Sequence, residues 1–191
     1  ANTKRLIPFV FSTTQAYILE FGNDYIRFYR NEGQILDSGS AYEISSPWGE
    51  EYLDGLSFTQ SADILYVTHP EFKPRKVTRT GHTTWTVAEF DQTDGPYLDQ
   101  NTSATTMPPS HASGSSRTIT ASVSTFASTD VGRLIRLKHS STWGYAKVTG
   151  FTSATVVTVT ILSDFGGTGS TTDWRLGAWS DTTGWPTCVT F

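Results

Sequence analysis

Residues 59–87 read TQSADILYVTHPEFKPRKVTRTGHTTWTV, and the fold turns on how this stretch is taken. It holds Asp63, His69, His82, Trp85 and the four cations Lys73, Arg75, Lys76 and Arg79, the ingredients of a metal or acid–base site. It also alternates apolar and polar residues at period two, the signature of a half-buried strand. In an extended chain Ile64, Tyr66 and Thr68 share one face, and Leu65, Val67 and His69 share the other. Asp63 and His69 then fall on opposite faces, so the nearest carboxylate does not orient this histidine. Pro70 ends the strand after His69, and His82 follows Gly81 at a hairpin tip. The stretch therefore reads as sheet, with one histidine on a strand end and one on a turn.

The same rhythm runs outward in both directions. Segments 6–12, 16–21 and 25–30 alternate, with Gly22-Asn23-Asp24 closing one hairpin and Asn31-Glu32-Gly33 ending the third strand. Their inward candidates are Phe9, Phe11, Tyr17, Leu19, Phe21, Ile26 and Phe28. In 41–56, Ser46-Pro47 followed by Glu50-Glu51 predicts one helical turn before the sheet resumes. Strands at 56–59, 63–68, 75–79 and 84–90 form a second group. Two such groups about fifty residues apart have the rhythm of successive propeller blades.

Between 99 and 129 the chain is rich in Ser, Thr and Ala, and its threonines favour weak strands over a flexible linker. Then come GRLIRLK (132–138), WGYAKVTG (143–150), TVVTVTIL (155–162) and WRLGAW (174–179). Short strands evenly spaced by turns predict a small closed barrel or sandwich. The expected fold is all-β: a propeller-like or multi-stranded antiparallel sheet lobe over 1–98, completed by 179–191, with an inserted small β-barrel at 99–178.

Composition narrows the functional classes. The 191 residues carry 14 cations against 18 carboxylates, a net charge of −4, which opposes general nucleic-acid affinity over the whole surface. With Cys188 as the single cysteine, intrachain disulfides and cysteine-based zinc sites are excluded. In TCVTF it alternates with apolar neighbours and is expected to be buried. No run approaches the roughly 18 apolar residues of a membrane helix, and a soluble chain without membrane association is expected. The last residues stop inside an alternating run, which suggests a fragment.

No motif commits the chain to catalysis. The four histidines show no HxH or HExxH spacing, no GxSxG elbow accompanies the serines, and Glu50-Glu51 and Asp91/Asp94 sit in turn contexts. DFGGTGSTTDW (164–174) lacks the lysine and the helix of a phosphate loop and reads as a long hairpin loop. Trp85, Trp174 and Trp179 sit in strand contexts as core fillers. No metal, no cofactor and no enzymatic activity are expected. As a strand, 73–79 puts Arg75 and Arg79 on one side and Lys76 on the other. That pattern serves weak, salt-dependent contact with DNA phosphates, an acidic neighbour, or a charged edge guarded against strand pairing.

Three strings carry a resemblance: RLIPFVFSTTQAYILEFGNDYIRFY (5–29), QSADILYVTHPEFKPRKVTRTGHTTWT (60–86) and DWRLGAWSDTTGWPTCVTF (173–191). They resemble the amino-terminal part of large tail proteins of bacteriophages and prophages, similar to the tubular tail, or nozzle, proteins of short-tailed phages. STDVGRLIRLKHSSTWGYAKVTGFTSATVVTVTIL (128–162) is similar to the small barrel described as the first catalytic-cysteine half-domain of ubiquitin-activating enzymes. That segment holds no cysteine, so the likeness implies no ubiquitin chemistry. The resemblance implies a structural protein of the virion tail, assembled in the bacterial host cytoplasm as a ring homo-oligomer with other tail subunits, of which this chain is an amino-terminal piece. Expected contact residues are Arg75, Lys76 and Arg79 on the first lobe, and Phe165 and Thr168 in the loop 164–173 of the second. The rival expectation is a carbohydrate-binding module of a host-recognition protein, which requires two or three coplanar exposed tryptophans or tyrosines.

Overall fold

Alternation becomes ladder in the computed structural model, which describes residues 3–190. The chain is all-β, with several antiparallel sheets and, among the described residues, two short 3-10 turns. It divides into two compact units, Ala1–Phe90 with Trp185–Phe191, and Asp91–Gly184.

In the first unit, β1 (Arg5–Ser12), β2 (Gln15–Gly22), β3 (Tyr25–Arg30) and β4 (Gly33–Gln34) form an antiparallel meander. The short β5 (Leu36–Asp37) and β6 (Ser40–Ala41) pair with each other, and β7 (Glu43–Ser45) pairs with β3. The turn after β3 places Asn31 and Glu32 at φ of 49° and 64°, the backbone pattern of a two-residue hairpin. The expected helical turn is the 3-10 segment Glu50–Gly55, which carries both glutamates in its first turn. A second meander follows: β8 (Ser57–Ser61), β9 (Ile64–His69), β10 (Phe72–Gly81) and β11 (Thr84–Glu89).

Both meanders contribute to one core. Trp85 from β11 stacks on Phe28 at 4.5 Å and meets Phe9 and Tyr17 edge-on at 4.9 and 5.4 Å. Aromatic pairs in these geometries add to the free energy of area burial. Two inward assignments shift. Ile7 is buried where none was expected, and Phe11 is 43% exposed. Ile7 keeps the inward parity of Phe9, whereas a register shift between Val10 and Ser12 breaks the alternation at Phe11.

The second unit contains β12 (Arg117–Thr120), β13 (Leu134–His139), β14 (Thr142–Ser153), β15 (Val156–Ser163) and β16 (Trp174–Leu176), in the spatial order β12-β15-β14-β13-β16. Ile135, Leu137, Ala146, Val148, Val157 and Val159 project from it into a separate core. The Ser/Thr-rich segment is mostly irregular, and its polar groups are tied down. The Asn101 carboxamide donates to Ser103 O, Thr105 O and Thr172 O, and Trp174 Nε1 donates to Thr105 O at 2.9 Å.

The units divide at 90/91 and 184/185, against the expected 98/99 and 178/179. Backbone pairing accounts for the difference. Leu98 N–H donates to Leu176 O, Ala178 N–H to Pro96 O and Asp181 N–H to Val131 O, which ties 96–98 and 178–181 into the second unit. Residues 185–190 form no strand. Cys188, expected to be buried, is therefore exposed, because its alternating neighbours have no sheet to face.

Candidate functional site

The basic run of β10 is largely engaged within its own unit. Val77 points into the core at 0% exposure, and Arg75 and Arg79 share its parity. The side on which the two arginines were expected to project is thus the core side. Arg75 Nη2 reaches Glu89 at 3.2 Å and Lys73 Nζ reaches the same carboxylate at 3.4 Å. Arg79 is held more tightly: Nη1 pairs with Asp63 at 3.3 Å, Nε donates to Tyr17 Oη at 3.1 Å, and the guanidinium lies 3.9 Å from the Phe11 ring centre. Its side chain keeps 10% of its exposure. Lys76 has the opposite parity.

In the loop 164–173, Thr168 is exposed, whereas Phe165 is a core residue at 0% exposure. The expectation of an exposed contact at Phe165 is corrected for a steric reason. Gly144 lets the backbone of Asp164 and Phe165 approach so closely that a Cβ there would lie 2.3 Å from Asp164 O. His139 pins the same loop, with Nδ1 3.1 Å from Phe165 O and Nε2 2.8 Å from Gly169 O.

Asp63, His69 and His82 have separate partners. His69 is buried among Tyr52 and Phe72, and its Nδ1 accepts the Glu71 N–H at 3.0 Å. Burial holds its pKa below the ordinary value, partly offset by the Glu71 charge. His82 Nδ1 lies 2.6 Å from Tyr17 Oη, and its Nε2 lies 3.0 Å from Arg30 Nη1. Among the described residues no three His, Cys, Asp or Glu side chains group as a metal site.

The outward face of β1–β3 is the more distinctive surface. Leu6 and Val10 on β1 are 64% and 59% exposed, and Ile18 on β2 is 40% exposed. Pro8 lies opposite Ile18, and Val10 opposite Ala16, so apolar groups line the outside as well as the inside of this pair of strands. Beside them opens a cleft of about 450 Å³ bordered by Leu6, Ile18, Glu20, Tyr29, Arg30 and Glu32. Glu20 accepts hydrogen bonds from Tyr25 Oη at 3.0 Å and Tyr29 Oη at 2.8 Å. Burial first, then the bond to Glu20 and its charge, push the Tyr29 phenol up and keep it a donor. Arg27, bonded to Glu43 at 2.9 Å, has its pKa raised chiefly by that bond. An apolar floor with a fixed polar rim suits noncovalent contact with another surface.

The contact residues expected from the sequence are mostly cations, and none of them lies on this face. The signal was present: Leu6, Pro8 and Val10, then Ala16 and Ile18, occupy the positions assigned to solvent. The chain matches no protein-family model and no curated protein sequence. Of the six tryptophans and eight tyrosines, Trp48, Trp85 and Tyr17 are buried and the others are partly exposed. No helix among the described residues is long and apolar enough to cross a membrane.

Proposed function

We propose that the chain is a structural piece of a bacteriophage tail and works through protein–protein contacts rather than catalysis. The two meanders are read as neighbouring propeller blades, and the five-stranded sheet of the second unit as a small inserted barrel. In this reading the protein resides in the virion tail after assembly in the bacterial host cytoplasm. The observation that carries the proposal is the exposed apolar face of Leu6, Val10 and Ile18. Contiguous exposed apolar surface of this kind marks interaction sites. Its occupant is a second copy of the chain, whose different face closes a ring by heterologous contact. Any DNA contact through Lys76 is weak and salt-dependent.

Sedimentation velocity over a concentration series tests this. The chain should self-associate reversibly, and the double variant L6E/I18E should remain folded by circular dichroism yet sediment as a monomer. A wild-type chain that stays monomeric at every concentration overturns the proposed ring contact.

A further inference from the structure

The second unit carries an unexpected cluster of charge. On β13, Ile135 and Leu137 point into the core at 0% exposure, so Arg136 and Lys138 point out. Across the ladder Arg136 stands opposite Tyr145 and Arg175, and Lys138 stands opposite Trp143. Three cations thereby converge on one indole: the Arg136, Arg175 and Lys138 charges lie 4.8, 5.8 and 5.9 Å from the Trp143 ring centre. The exposed Lys147 continues the row along β14. Cation–π attraction fixes each cation, but like charges this close repel unless an anion joins them.

Internal compensation is thin. Arg136 reaches Asp94 at 3.9 Å and Lys138 reaches Asp173 at 4.0 Å, both at the outer limit of an ion pair. Nε of Arg136 and Nε of Arg175 are shut off from solvent without hydrogen-bond partners. The side chains of Arg136 and Lys138 keep 29% and 35% of their exposure, so the cluster is open to a ligand from outside.

From this geometry we infer that the Arg136–Lys138–Arg175 face binds an acidic polysaccharide, a chain bearing both carboxylates and hydroxyls. The cations take the carboxylates, for which arginine's planar fork is matched. Asp94, Asp173 and Gln100 border the cations and accept from sugar hydroxyls; Gln100 links the two sides, donating to Asp173 at 3.0 Å and accepting from Arg175 at 3.3 Å. The Tyr97 phenol donates to Asp94 at 2.7 Å. Burial and that bond hold its pKa far above the usual range, so it stays a donor. A DNA strand fits less well on two counts. Its phosphodiester backbone offers no donors to the bordering carboxylates, and the indole that would stack a base is already attended by three cations.

Titration calorimetry with polygalacturonate, neutral dextran and a single-stranded oligodeoxynucleotide tests the assignment. Polygalacturonate should bind, more weakly as salt rises, and dextran should not. R136Q and K138Q should each weaken binding by about tenfold, the loss of one charge-assisted contact. R117Q, on β12, should bind as wild type, with circular dichroism confirming the fold of every variant. Absence of polygalacturonate binding, equal binding of dextran, unchanged affinity in both R136Q and K138Q, or tighter binding of the oligonucleotide would each overturn the inference.

Discussion

The Gln60 carboxamide pairs with both backbone groups of Val10: the Val10 N–H donates to Oε1 at 2.9 Å, and Nε2 donates to Val10 O at 2.7 Å. A side chain from β8 thus imitates a neighbouring strand on β1, the edge of its sheet. Nε2 also donates to Ala62 O at 2.8 Å, which fixes the amide in that orientation. Together with Pro8, which has no N–H to offer, this closes most of the edge to indiscriminate strand addition.

Replacing Gln60 with Leu should therefore have two effects. Two hydrogen bonds at about 0.5–1.5 kcal/mol each predict a loss of about 1–3 kcal/mol in denaturant unfolding. The bared edge should also raise aggregation, read by light scattering during refolding. A variant that is less stable but no more prone to aggregate would show that Gln60 does not guard the edge.

Arg79→Met tests the burial of the basic run. It removes an ion pair, a hydrogen bond to Tyr17 and a cation–π contact while keeping side-chain bulk. Asp63 is 45% exposed, so solvent screens part of the pair, and a cost of about 2–3 kcal/mol is expected. Lys76→Met, on the opposite face, should stay within about 0.5 kcal/mol of wild type. Equal costs at the two positions would contradict the assigned parity.

Most strands were legible because period-two patterning and turn residues agree along the chain. What escaped the sequence depends on events that pattern does not encode. The register shift after Val10 exposes Phe11, a glycine at 144 admits Phe165 to the core, and the absence of a strand at 185–190 exposes Cys188. The basic cluster was hidden for a different reason. Arg136 and Arg175 lie far apart in sequence and meet through the β13–β16 ladder, whereas the run at 73–79 is compact in sequence yet turns Arg75 and Arg79 to the core side.

His69 should make stability pH-dependent. In the unfolded chain it titrates near its ordinary value of 6.5, and burial lowers that value in the fold. Between the two values only the unfolded chain binds the proton, so acidification favours unfolding. Stability should begin to fall as pH drops through about 6.5, and the loss should stop growing below the folded pKa. His69→Asn keeps an acceptor near the Glu71 N–H but does not titrate. Urea midpoints from pH 8 to 5 should converge between wild type and variant as pH falls, and parallel curves would exclude His69 as the source.

Glycine use in the second unit supplies the sharpest steric prediction. A Cβ on Gly144 would lie 2.3 Å from Asp164 O and 2.6 Å from the Phe165 Cα, both backbone atoms that cannot swing aside. Gly144→Ala should cost about 3 kcal/mol, at the upper end of overpacking, and release the loop that His139 pins. Gly169 has nothing within 4 Å of its would-be Cβ and no left-handed φ, so Gly169→Ala should be neutral or stabilise by up to about 1 kcal/mol through the unfolded state. Thermal unfolding of the two variants separates close approach from loop flexibility as the reason for glycine, and a tolerated Gly144→Ala would show that the 164–165 backbone can retreat.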